Sequence, residues 1–278
     1  MTFIGGDERM LFAAGAFAED GFDVCVCGFD IDVREYGAIR RENTLSEALS
    51  EADHIILPLP YSSGERCINA PFYSGKISLD DVLALRKNAL VMGGRLDKEV
   101  LPFAIDYYAR EDFAVLNALP TAEGAVKLAI EQTKRTLCGT DVAVLGFGRV
   151  GKVLAKTLVS LGANVTVYAR SAEARAWARV FFCKARRFEN ICEHIGEHSC
   201  IFNTVPEKIL GARELACVSK GALLMELASA PYGVDADAAK KCGVRFCIAQ
   251  ALPGKITPKS AGQIIYQTIK EITEEEEK

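Results

Sequence analysis

The sequence predicts an α/β protein made of two doubly wound parallel sheets, and three observations carry that reading. Short apolar strands alternate with amphipathic helices along nearly the whole chain, which implies parallel strands covered by helices on both faces. Residues 140–171, TDVAVLGFGRVGKVLAKTLVSLGANVTVYARS, run as strand, glycine-rich turn, helix and strand, the order that seats a pyrophosphate on a helix N-terminus. At 278 residues, half of them apolar, the chain has room for two domains with sizeable cores.

In the first half, Thr2-Phe3-Ile4 reads as a strand ending at Gly5-Gly6-Asp7, and Glu8 to Glu19 as a helix. Strands follow at Phe22–Cys27, His54–Pro60 and Ala89–Met92, with helices at Thr44–Glu51 and Asp80–Lys87. The second of these helices is opened by the Ser78-Leu79-Asp80-Asp81 cap. Lys98–Arg110 reads as a further helix and Phe113–Leu116 as a last strand. Pro120 and Thr121 then open a helix over Ala122–Arg135. Beyond the glycine turn come strands Cys200–Thr204, Ala222–Leu227 and Val244–Ala249. A closing helix, Ser260–Thr273, ends in an acidic run read as a frayed, solvated tail. The expected domains are 1–120, with 258–278 packing back on it, a bridging helix 121–136, and a Rossmann-like nucleotide domain 137–257. Their carboxyl edges are expected to face each other across an interdomain cleft.

The glycines of the turn have separate duties. Gly146 permits the tight turn, Gly148 lets backbone approach the phosphates, and Gly151 lets the helix sit close to the strand. Arg149 and Val150 lie between them on the same helix start. After the second strand the chain reads Tyr168-Ala169-Arg170-Ser171, with no acid to accept from ribose hydroxyls. A guanidinium there grips a 2′-phosphate with charge-assisted bonds, and Ser171 adds a hydroxyl. The expected cofactor is therefore NADP, with NAD possible and a plain exposed loop arginine as the alternative. Asn203, Thr204, Val205, Pro206, Leu227 and Ala228, at later strand ends, complete the expected cofactor wall.

Strand ends of the first half nominate the substrate side. Gly5 and Gly6 precede a helix and are expected to offer amides to a carboxylate, with Asp7 and Arg9 beside them. A simple turn with an Asp7 cap explains the same residues equally well. Arg95, Thr121, Glu123, Lys255 and Lys259 are the other candidates, of which Arg9, Glu123 and Lys255 are assigned to catalysis. The two lysines also fit a solvated surface loop. His54, His194 and His198 fall away from the expected strand ends, so the proton carrier stays open among Glu123, Asp7, Lys255 and water.

Composition narrows the classes further. A net charge of −4 gives no electrostatic case for nucleic acid. There is no basic leader and no unbroken apolar run of bilayer length, so a soluble, cytoplasmic protein is expected, with no membrane partner. The 10 cysteines are scattered without a CxxC pair, as buried free thiols in a reducing compartment would be. Cys192, His194, His198 and Cys200 cluster in sequence, but their spacing matches no common zinc framework, and no metal is expected.

Six blocks occur in order: GGDER, NALPTAEGA, VLGFGRVG, NTVP, MELASAPYGVD and ALPGKITPKSAG. With them the chain resembles the dipicolinate synthase A-subunit family over essentially its whole length. The resemblance implies a nicotinamide-dependent oxidoreductase that works with a second, flavoprotein-like subunit of the same synthase; a homo-oligomer is expected besides. Its implied reaction, in sporulation, oxidises a dihydrodipicolinate-type dicarboxylate to pyridine-2,6-dicarboxylate. Two positions depart from the family pattern: Glu226 stands where an aspartate is expected, and Tyr232 where a glycine is usual. Another small-acid dehydrogenase of the same plan, or a non-catalytic nucleotide-sensing protein, are the alternative readings.

Overall fold

The computed structural model describes residues 1–276. The chain divides into two compact units, Met1–Asn117 together with the chain from Pro253 onward, and Ala118–Leu252.

The first unit begins β1 (Thr2–Ile4), α1 (Glu8–Glu19), β2 (Cys25–Cys27), β3 (Arg40–Glu42), α2 (Leu45–Ala48) and β4 (His54–Ile56). It continues with a small hairpin, β5 (Ser62–Gly64) and β6 (Cys67–Ile68), then α3 (Leu79–Leu85), β7 (Leu90–Gly93), β8 (Ile105–Asp106) and α4 (Glu111–Leu116). Its main sheet has the order β3-β2-β1-β4-β7-β8, all parallel. The two-residue alternation of strand side chains divides the core. Phe3, Val26, Ile56 and Met92 pack with Phe17 on one face, and Ile4, Cys27, Ile55 and Val91 with Leu79 and Val82 on the other.

The second unit contains α5 (Ala118–Thr133), β9 (Asp141–Leu145), α6 (Arg149–Ser160), β10 (Asn164–Tyr168), α7 (Ala172–Val180), β11 (Lys184–Arg186) and α8 (Ile191–His194). It continues through β12 (Cys200–Asn203), α9 (Ala212–Leu215), β13 (Leu223–Glu226), α10 (Ala236–Lys241) and β14 (Arg245–Ile248). Its order, β11-β10-β9-β12-β13-β14, is again all parallel, so both sheets reverse direction at their first strand. A short α11 (Leu252–Ile256) spans the join, and α12 (Pro258–Glu276) packs along α1 within the first unit.

Four expectations are corrected. Lys98–Arg110 is not a helix: Pro102 lacks the N–H a helix needs, and Asp97 instead caps a turn by accepting from the amides of Glu99 and Val100. Phe113–Leu116 is not a strand but the end of α4, whose first turn carries Glu111 and Asp112. Its Phe113 ring packs against Tyr107 and Tyr108. The helix expected from Ala122 starts earlier, at Ala118, so Pro120 sits in the first turn, where its missing N–H costs nothing. The acidic tail is not frayed as far as Glu276: α12 runs to that residue, and Glu275 pairs with Arg110 at 2.7 Å. Glu277 and Lys278 lie outside the described residues.

One helical stretch, Glu111–Thr133, with 23 residues and a mean hydropathy of 1.2, is long and apolar enough by composition to cross a membrane. A turn at Asn117 divides it, and Phe113, Ala122, Ala125 and Ala129 on its inner sides are buried in the fold.

Candidate dinucleotide site and substrate loops

The phosphate turn has the form its glycines imply. Gly146 holds φ +92°, and a Cβ there would lie 2.6 Å from Thr204 Oγ1 and 2.7 Å from Val205 Cγ2. A Cβ on Gly151 would lie 2.5 Å from the Gly146 carbonyl oxygen, so the helix approaches the strand as closely as a glycine permits. Gly148 differs: a Cβ there would meet nothing within 4 Å. Gly148 is also the N-cap of α6, and no side chain caps it. The first bond of the helix runs from the Lys152 amide to the Gly148 carbonyl at 2.9 Å. The amides of Arg149, Val150 and Gly151 precede that bond, at the positive end of a 12-residue helix. Open space above a helix start with no side-chain cap fits a pyrophosphate.

At the end of β10, Ser171 caps α7 by accepting from the Ala174 amide at 3.1 Å. Its hydroxyl hydrogen stays available to a ligand. Arg170 is exposed and forms an ion pair with Glu207 at 2.8 Å, a carboxylate that competes for the guanidinium. Arg175, not singled out from the sequence, donates to the carbonyls of Ala169 (2.9 Å) and Arg170 (2.5 Å) and fixes this strand end.

Two further expectations are revised. Asn203 is fully buried, and its amide is used internally: Nδ2 donates to Val205 O and Glu226 Oε1, while Oδ1 accepts from the Val205 amide. Thr204 Oγ1 donates to Leu145 O at 2.8 Å and packs on the glycine turn. Both shape the turn rather than present polar atoms to a ligand. Val205, Pro206 and Leu227 are partly or fully exposed, whereas Ala228 is buried with its amide bonded to Glu226.

Glu226 is the hub that sequence reasoning missed. With 0% exposure, it accepts from Asn203 Nδ2 (2.7 Å) and from the amides of Ala228 (3.0 Å), Gly233 (2.9 Å) and Val234 (2.9 Å). Burial pushes its carboxyl above the ordinary range, and these donors pull the other way. The longer glutamate thus closes the 227–234 loop on itself. Tyr232 sits at φ +63°, a left-handed conformation that explains why glycine suits the position.

In the first unit the glycine pair is closed. The Gly5 amide donates to Cys27 O at 2.8 Å and the Gly6 amide to Asn69 O at 2.7 Å, so neither offers a free N–H to a carboxylate. Asp7 caps α1 and also holds Arg9 through two nitrogens, Nε at 2.9 Å and Nη2 at 2.8 Å. Arg9 Nη2 reaches Leu59 O as well. Only Nη1 of Arg9 carries no hydrogen bond among the described residues, and Asp7 is not a free base. Gly254 lies against this pair, since a Cβ there would be 2.9 Å from Arg9 Nε. That brings the neighbouring Lys255 near Arg9 in the fold, and both Lys255 and Lys259 are exposed. Arg95 is exposed at φ +62°, its amide held by Asp106 Oδ1. In the second unit, Thr121 is half-buried and Glu123 exposed on α5.

Among the described residues, no group of His, Cys, Asp and Glu is placed to hold a metal ion. His194 bonds Glu197 at 2.7 Å, His198 bonds Tyr168, and Cys200 is buried in β12. All of the cysteines are free.

Parallel sheets of this order, one bearing an open glycine turn, define the class: a dehydrogenase-type protein built to bind a nicotinamide dinucleotide. Residues 120–240 match the family model of the D-isomer specific 2-hydroxyacid dehydrogenase NAD binding domain. Residues 1–108 match the N-terminal domain of the dipicolinate synthase A-subunit. The chain is 32% identical to the dipicolinate synthase A-subunit of Bacillus subtilis over 99% of its length and 96% of the relative. It belongs to the dipicolinate synthase A-subunit family. The crystal structure of the Bacillus subtilis protein superposes with a TM-score of 0.86 at 31% identity, covering 99% and 95% of the two chains. That of the Bacillus halodurans A-subunit gives 0.88 at 26% identity, covering 98% and 96%.

Proposed function

We propose that this chain is the NADP-dependent oxidoreductase that converts a dihydropyridine dicarboxylate to pyridine-2,6-dicarboxylate during sporulation, working in the cytoplasm with a second, flavoprotein-like subunit. The observation that carries this reading is the uncapped start of α6 below the open face of Gly148, in a chain of this family. An oxidised nicotinamide, when bound, supplies the acceptor for a hydride. The ring substrate loses that hydride and one proton and becomes aromatic, a favourable change that asks little of a base. The protein's task is then positioning and charge compensation.

Amides of Arg149, Val150 and Gly151 bind the pyrophosphate, and Arg170 with Ser171 selects the 2′-phosphate. Leu227, Val205 and Pro206 flank the same face. On the substrate side, Arg9 Nη1, Arg95, Lys255 and Lys259 meet the carboxylates, and Asp7 positions Arg9. Glu123, Lys255 or water takes the proton. The test is direct: dihydrodipicolinate with NADP or NAD, added to the chain with and without its flavoprotein-like partner, read as reduced-nicotinamide absorbance. Turnover supports the proposal. Tight dinucleotide binding with no turnover even beside that partner would replace it with the nucleotide-sensing alternative.

A further inference from the structure

The second sheet has another charged recess, on the edge opposite its phosphate turn. A cavity of about 440 Å³ opens where β12 and β14 begin, and Cys200 and Arg245, their first residues, line it. The glycine turn instead follows the last residue of β9. A cavity of this size holds a small metabolite.

Its charge is one-sided. Arg135, Lys220 and Arg245 line it, and Glu197 is the one acidic residue among the described residues of its lining. That carboxylate is already engaged by His194 at 2.7 Å and Arg186 at 3.5 Å. Arg135 and Lys220 have no ion-pair partner among the described residues, and Arg245 gives only one nitrogen, to Gln132 O at 2.8 Å. Three cations gathered around one recess, against a single carboxylate already paired elsewhere, favour an anion there. Thr136 and Ser199 also line it.

A buried group in the wall points the same way. His198 is 3% exposed, and its Nε2 lies 3.0 Å from the hydroxyl of the fully buried Tyr168. That hydroxyl has no other acceptor among the described hydrogen bonds, so it donates to Nε2 and leaves the ring proton on Nδ1. Among the described residues Nδ1 has no partner. A buried donor without an acceptor is costly, and a bound water or ion is one way such a group is satisfied.

We propose that this recess binds a small oxyanion, a phosphate ester or a polycarboxylate, at a site separate from the dinucleotide turn. The inference goes beyond the proposed reaction and does not depend on turnover. Its test uses the full chain carrying Gly148→Val, which closes the phosphate turn to the probe, titrated calorimetrically with inorganic pyrophosphate and, separately, with citrate. Saturable binding of either is expected, and which one binds distinguishes the phosphate from the carboxylate source. Lys220→Gln and Arg135→Gln should each weaken it about tenfold, the scale of a charged hydrogen bond. Amide resonances of residues 196–200 and 219–222 in the unsubstituted chain should shift with the same probe, which keeps the test independent of any one variant's folding. Absence of binding by both anions, or affinity unchanged by both substitutions with those resonances unmoved, overturns the proposal.

Discussion

The two glycine turns occupy equivalent places, each between the first strand of its sheet and the helix that follows. The Gly146 amide is bonded to the neighbouring strand at Tyr168 O (2.9 Å) as that of Gly5 is to Cys27 O, but the two helix starts end in opposite states. Around the first, both glycine amides are bonded to Cys27 and Asn69, Asp7 caps the helix, and Arg9 is folded onto Asp7. Around the second, the helix start has no side-chain cap and Gly148 faces open space. Strand order therefore does not make a binding site. A doubly wound sheet offers the helix N-terminus, and the local sequence decides whether the protein satisfies those amides itself or leaves them to a ligand.

The largest effects should come from adding side chains at the two turns. Gly148→Val places its branch where nothing stands, so the chain should fold normally yet lose dinucleotide affinity by about 1,000-fold, ~4 kcal/mol. Gly6→Val should do the reverse. Its Cβ would be 2.3 Å from Met10 Cγ at φ +103°, so stability should fall by about 3 kcal/mol while dinucleotide affinity per folded molecule holds. Calorimetric NADP titration and urea unfolding of both variants check the pair. Equal loss of affinity in both would erase the contrast.

Asp7→Ala opens the closed turn. It removes the α1 cap, worth ~1 kcal/mol, and strands the guanidinium of Arg9, which is only 8% exposed. Because the Asp7 side chain is itself 29% exposed, the whole cost should be about 2–3 kcal/mol rather than the larger penalty of a fully buried pair. Urea unfolding of the variant measures it, and Asp7→Asn, which keeps a capping oxygen, should recover part of the loss. A variant as stable as the parent would show that the first turn is not held shut by this residue.

This contrast is only half visible in the sequence. Gly146, Gly148 and Gly151 each answer a different local demand, and the motif states all three within six residues. Gly5-Gly6 looks like the same offer, because the atoms that close it, Cys27 O and Asn69 O, come from distant stretches of chain. Arg170 reads as free for the same reason, since Glu207 is 37 residues away. The strands β3 and β11, Arg40-Arg41-Glu42 and Lys184-Ala185-Arg186, leave no mark in the pattern. They are polar edge strands without the apolar alternation that marks a buried one. Phe113-Ala114-Val115-Leu116 has too short an apolar run for periodicity to separate strand from helix.

Cofactor choice should move less than the turn itself. Arg170→Ala should weaken NADP by about 1–2 kcal/mol, a charged hydrogen bond reduced by the exposed pair with Glu207 that must be given up. NAD should change little. Glu207→Gln releases the guanidinium and should raise the preference for NADP over NAD about threefold, ~0.6 kcal/mol. Competition titrations with both cofactors decide it. Parallel changes for NADP and NAD would show that Arg170 plays no part in telling them apart.

The smallest predicted stability change is the most direct test of the open turn. Gly148→Ser gives α6 a hydroxyl at its N-cap, able to accept from the amides of Val150 or Gly151, as Ser171 does for α7 and Ser78 for α3. Relative to glycine such a cap adds only a few tenths of a kcal/mol. The thermal midpoint should rise by about 1 °C. Those same amides are the ones a pyrophosphate needs, so dinucleotide affinity should fall as stability rises. The opposite signs are the point of the measurement. If the serine stabilised the chain without weakening the dinucleotide, the ligand would not be using the start of α6. If it weakened the dinucleotide without stabilising the chain, the amides would already have partners, and the two glycine turns would be alike after all.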